Sequence, residues 1–192
     1  MAANRSIVDY LKTRRSVGMA FLKDPGPSDA ELAEILTIGT RVPDHGKLVP
    51  WRLVVFSGDS RRRAGEKLAE LAAKRQPGLD EAGLDMERNR FLPAPVTIGV
   101  IFSPKANDKI PEWEQLVSAG NVAFNLEHAA FALGYAANWT SRWYSMEDEP
   151  MRMLGARDGE RFVGFVHIGT PTAAVEDRPR PSLAEVVSQW QG

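Results

Sequence analysis

Four short stretches hold the side chains best suited to gripping an anion or lying along an aromatic ligand. Arg14, Arg15 and Ser16 follow one another directly, and Arg178 and Arg180 alternate with prolines in DRPRP, 177–181. RVPDHGKLVPW, 41–51, sets His45 and Val49 in a joint punctuated by Gly and Pro. NWTSRW, 138–143, places Trp139, Thr140 and Ser141 side by side. Planar guanidinium forks match phosphate or carboxylate oxygens bidentately. Hydroxyls add single donors, and indole adds an apolar face. Such a set binds and orients; it offers no acid–base pair. Plainer roles stay open for each stretch. An Arg pair after a helix complements the negative end of its dipole. His45 can be an ordinary loop residue, Trp51 and Trp139 can be core, and the Arg178–Arg180 tail can be solvated.

Other chemistries are excluded or unsupported. Cys is absent, which removes disulfides, thiolate metal sites and Cys nucleophiles. His45, His128 and His167 are far apart, with no carboxylate at ligand spacing, so no metal site is expected. Neither G-x-x-x-x-G-K-[ST] nor G-x-G-x-x-G occurs, and no G-x-S-x-G or H-E-x-x-H. A net charge of -1 gives no field favouring nucleic acid or an anionic membrane. The N-terminus has no apolar run of signal-peptide length. The apolar stretch 119–137 is interrupted by Glu127 and His128, which argues against a membrane span. The chain is therefore expected to be soluble and cytoplasmic.

The elements that must position these residues can be read in order. Ile7, Tyr10 and Leu11 share a helical face just before the Arg pair. Ser28 and Glu31 fit a capping box opening a helix that Pro43 closes off. WRLVVF, 51–56, reads as a strand. Ala64, Leu68, Leu71 and Ala72 mark a second helix, whose basic start at 61–63 reads as a solvated face. Residues 76–89 are polar and weakly helical. PVTIGVIF is a near-continuous apolar run, as in a buried strand. Pro111 suits the first turn of a long helix reaching about Gly134. That helix is apolar on most sides, which fits a domain interior or a subunit interface. YAANW can be a strand, EDEPMRMLG a short helix stopped by Gly155, and RFVGFVHIG the last clear strand. Ser182 and Glu185 repeat the capping-box pattern near the end. With 192 residues and no linker or repeat, a single domain over 1–192 is expected. Strands separated by helices argue a mixed sheet flanked by helices, α+β or α/β.

Taken together and in this order, the pieces resemble the FMN-dependent nitroreductase family, most closely its short single-domain NAD(P)H nitroreductases of the YdjA type. The resemblance rests on RRS at 14–16, RVPDHGKLVPW at 41–51 and PEWEQLVSAGNVAFNLEHAAFALGYAANWTS at 111–141. VGFVHIGTP at 163–171 and DRPRP at 177–181 complete it. It implies an α+β fold, with a mixed, mainly antiparallel sheet flanked by helices, working as a homodimer with FMN at the subunit interface. It implies hydride transfer from NAD(P)H through FMN to a nitroaromatic or quinone-like acceptor, by turns at one site, with no catalytic protein residue. The same fold also suits a flavin-binding protein that stores, senses or modifies flavin with little nitroreductase activity.

Residue by residue, the resemblance points Arg14, Arg15 and Ser16 at the flavin and its phosphate, and Arg178 and Arg180 at the phosphate. It lays Trp139, Thr140 and Ser141 along the flavin and brings His45 and Val49 from the partner subunit. The prolines of RPRP limit the unfolded tail's freedom, which lowers the entropy cost of fixing both arginines. The chain departs from the pattern at Val49, where many members carry Asn or Gln. It departs again at Thr140, where the closest members carry Arg; Arg142 stands two positions on.

Overall fold

The computed structural model describes residues 3–192, which fall into two compact units: 16–173, and 3–15 together with 174–192. The larger unit holds a five-stranded sheet of β1 (Leu22–Lys23), β2 (Trp51–Ser57), β3 (Val96–Phe102), β4 (Ala136–Thr140) and β5 (Arg161–Pro171). Every pairing is antiparallel: β2 with β3, and β5 with β3, β4 and β1. Its helices are α2 (Asp29–Gly39), α3 (Asp59–Arg75), α4 (Glu81–Arg88), α5 (Glu112–Ala132) and α6 (Asp148–Met153). In the smaller unit lie α1 (Arg5–Thr13) and the short α7 (Leu183–Val186).

Strand periodicity divides the core into two layers. Val96, Ile98, Val100, Val166 and Ile168 face α2 and α5 on one side of the sheet. Ile101, Phe162 and Phe165 join Phe56, Phe91 and Tyr144 on the other, with Leu68 of α3 and Met151 of α6. Phe91 and Phe165 meet edge to face at 5.4 Å between centroids, the arrangement the ring quadrupoles favour. Burial there pushes the Tyr144 hydroxyl up to about 12. Gly39 lets α2 approach α5 closely, because a Cβ at that position would meet the Leu126 side chain.

The local signals act as their chemistry dictates. Ser28 and Glu31 form the reciprocal capping box of α2, and Ser182 and Glu185 that of α7. Gly155, at φ +110°, follows α6 in a conformation that favours glycine. Two expectations change. The 76–89 stretch contains a regular helix, α4, whose Asp80 side chain accepts the Gly83 N–H at 2.8 Å. Of the basic run 61–63, Arg62 and Arg63 pair with Asp59, but Arg61 turns inward and donates to the Ala94 carbonyl at 2.6 Å. Across the sheet, Arg52 clamps Glu160 at 3.1 and 2.6 Å, and this charge-assisted pair holds the Glu160 carboxyl down to about 2. No helix of the described residues is long and apolar enough to cross a membrane.

Candidate functional site

The long helix α5 organises the candidate residues of the larger unit. Its Glu127 is buried, and Glu127 Oε1 accepts the Ser16 hydroxyl at 3.2 Å and the Trp139 backbone N–H at 3.1 Å. The Val17 N–H donates to the Ala137 carbonyl at 3.0 Å, so the chain after Arg15 runs beside β4. Ser16 and Trp139 are thereby brought together on one carboxylate. In the sequence, Glu127 speaks only against a membrane span. A carboxylate inside the apolar stretch 119–137 is the available signal.

Farther along the same helix, Glu114 Oε1 lies 2.7 Å from His45 Nδ1. Ser118 Oγ donates to the Pro43 carbonyl, and Asn125 Nδ2 to the carbonyls of Ile38 and Arg41. The 41–50 joint is thus laced to α5. Within the joint, Asp44 accepts the Leu48 and Val49 N–H groups at 3.2 and 2.9 Å. Gly46, Lys47 and Val49 all take positive φ, at 69°, 55° and 51°. For a β-branched residue that region is strained. Val49 is exposed. Glu114 and Glu127 are separated by roughly 20 Å of helix at 1.5 Å per residue. His45 is therefore held from one end of α5, and Ser16 with Trp139 from the other.

Along β4 the side chains alternate. Trp139 is exposed, and its indole lies over Gly164, where any Cβ would meet the ring and would approach the Thr140 carbonyl to 2.7 Å. Gly164 sits at φ +151°, beside a register shift between β3 and β5. Thr140, on the opposite side, is half-buried, and its Oγ1 lies 3.2 Å from His167 Nε2. Ser141 is exposed just past the strand.

In the smaller unit, Arg15 donates to the Glu176 carbonyl and stands 3.7 Å from Asp177 Oδ1. Arg180 reaches the same oxygen at 3.5 Å, and the Arg178 N–H donates to it at 2.8 Å. Two guanidinium groups and a backbone donor thus gather round one carboxylate oxygen. Arg14 is half-buried, and its N–H caps α1 on the Tyr10 carbonyl. The Arg178 side chain is exposed.

These donors can hold an anion, and the β4 end can flank a planar ligand. Among the described residues no group of three or more His, Cys, Asp or Glu could hold a metal ion. A curated relative, YdjA of Escherichia coli K12, a candidate NAD(P)H nitroreductase by name, is 34% identical over 85% of this chain and 87% of its own. The structure of a nitroreductase-like family protein from Bacillus cereus matches with a TM-score of 0.82 at 24% identity, covering both chains fully. A nitroreductase from Bacteroides fragilis, crystallised with bound FMN, matches with a TM-score of 0.70 at 20% identity, covering 96% of this chain and 98% of that one. The model described as Nitroreductase family matches residues 11–170, so this chain belongs to the nitroreductase family.

Proposed function

We propose that the protein is a cytoplasmic, homodimeric FMN-dependent oxidoreductase. It takes hydride from NAD(P)H and delivers it to nitroaromatic or quinone-like acceptors, donor and acceptor using one site in turn. Bound FMN would supply the hydride chemistry; the protein binds, orients and tunes. The residues present fit that cofactor. Guanidinium groups already converge on an anionic oxygen, as a phosphate requires. An exposed indole and a neighbouring hydroxyl edge the β4 end, as a planar ring system requires. Arg14, Arg15, Arg178 and Arg180 would hold the phosphate end. Ser16, Trp139, Thr140 and Ser141 would line the ring.

The observation that carries the reading is the separation of Ser16 and Trp139 from His45 along α5. A second copy would unite the two sets. The helix also presents an apolar seam, Trp113 at 67%, Val117 at 56% and Phe124 at 44% exposure, which a partner's surface would cover. His45 and Val49 of one copy would then complete the site of the other, and 1–192 would act as one functional domain.

Purified full-length protein should be yellow or take up added FMN, and its NADH or NADPH consumption should depend on a nitro compound or quinone. Protein that takes up no FMN overturns the proposal. A second reading, flavin storage, sensing or modification, is favoured by Val49 and Thr140, which lack the amide and guanidinium donors of many family members. Slow or absent acceptor reduction by FMN-loaded protein would favour it.

A further inference from the structure

His167 touches Thr140 but has no role in the reading so far. It lies on β5 directly across from Thr97 of β3 and Asn138 of β4, fully buried, with its ring 6.3 Å from that of Phe91. Its Nδ1 is 2.8 Å from Thr97 Oγ1 and its Nε2 3.2 Å from Thr140 Oγ1. Burial, reinforced by the nearby Arg142 charge, holds the ring neutral, with a pKa of about 4. A neutral imidazole has one donor nitrogen and one acceptor.

Thr97 decides which is which. Its hydroxyl is also fully buried, and His167 is its hydrogen-bond partner. Were Nδ1 protonated, Thr97 would accept from it, and its own proton would be buried without an acceptor among the described residues. That arrangement costs the desolvation of a polar hydrogen. The other tautomer satisfies Thr97 and both ring nitrogens: Thr97 donates to Nδ1, and Nε2–H donates to Thr140. The Thr140 oxygen then accepts from inside, so its own proton points away from His167 and is free to donate at the half-exposed end of β4.

We propose that Thr97, His167 and Thr140 form a one-way hydrogen-bond relay that makes Thr140 a fixed donor to the part of bound FMN that becomes negative on reduction. Thr97 and His167 are positioning residues, and Thr140 touches the cofactor. The relay rests on the FMN reading. A donor set in this way favours the reduced cofactor over the oxidised one, raising its potential.

Two measurements test it. Nitrogen-15 NMR of the imidazoles in the wild-type protein should show His167 protonated at Nε2; protonation at Nδ1 overturns the relay. In FMN-loaded protein, Thr140→Val should lower the ratio of reduced to oxidised FMN affinity about tenfold, equal to about 30 mV for a two-electron couple. Thr97→Val should move the potential in the same direction, and the double variant should match Thr140→Val alone. A Thr140→Val protein that binds FMN with unchanged potential overturns the relay and leaves the flavin reading standing. Wild-type protein that takes up no FMN overturns both.

Discussion

Glu127 Oε1 accepts the backbone N–H of Trp139 at 3.1 Å, from a helix that packs against the sheet to which Trp139 belongs. The Ser16 hydroxyl shares that oxygen. Losing this acceptor leaves a strand-end N–H and a hydroxyl without it, which costs about 1–3 kcal/mol. Glu127→Ala should therefore lower urea stability by that amount or more, whereas Glu127→Gln, which keeps a carbonyl oxygen, should lose less. Equal losses in the two variants would refute the acceptor role.

A second prediction concerns pH. The His167 imidazole titrates at about 4 in the folded chain and near 6.5 when unfolded. The unfolded chain therefore binds the extra proton first. The stability tied to the neutral ring is complete above pH 6.5 and is lost as pH falls through 4, by about 3 kcal/mol in all. Comparing wild type with His167→Gln isolates this slope from the carboxylates. Parallel stability curves between pH 7 and 4.5 would sink the assignment.

Val49 predicts a gain. Its φ of 51° is costly for a β-branched side chain and is tolerated by Asn. Val49→Asn should raise stability by about 1 kcal/mol, visible as a higher denaturant midpoint with an unchanged slope. A lower midpoint would mean that the loop does not hold this conformation.

Gly164 predicts a loss. A methyl group there meets the Trp139 ring and the Thr140 carbonyl, at a φ available almost only to glycine. Gly164→Ala should cost roughly 3 kcal/mol and should shift Trp139 fluorescence, checked against a Trp139→Phe control. An unshifted spectrum with full stability would contradict the packing.

Asp177 competes for the cations proposed to bind phosphate. Arg15 and Arg180 both approach its Oδ1. Exposed pairs of this kind are worth up to about 1 kcal/mol. Asp177→Ala should tighten FMN binding by roughly two- to fivefold, and Arg15→Ala should weaken it by tenfold or more. Titration of the flavin absorbance reads both. Weaker binding in Asp177→Ala would mean that the carboxylate orders the arginines rather than occupying them.

Much of the fold was legible because local chemistry decides it. Ser28 with Glu31, the apolar run of β3 and the helix after Pro111 each carry a signal within a few residues. The site was legible mainly as a set of donors. What brings them together was not, since Glu127, Glu114 and Asp44 act through backbone N–H groups and a loop histidine, which leave no spacing pattern. Arg61 shows the same limit: its inward turn depends on a carbonyl 33 residues away. His167 carries no signal in the sequence because its partners, Thr97 and Thr140, meet it only through strand register.

The length of α5 has a further consequence. His45 is hung from one end of that helix and Ser16 with Trp139 from the other, so the rod works as a camshaft whose lobes are timed by residue count. Each residue turns the axis by about 100°. Inserting or deleting one residue between Ser118 and Asn125 would swing Glu127 out of phase with Glu114, however well the helix itself formed. The connecting loops can drift in length, but this helix cannot change its count without taking one set of anchors with it.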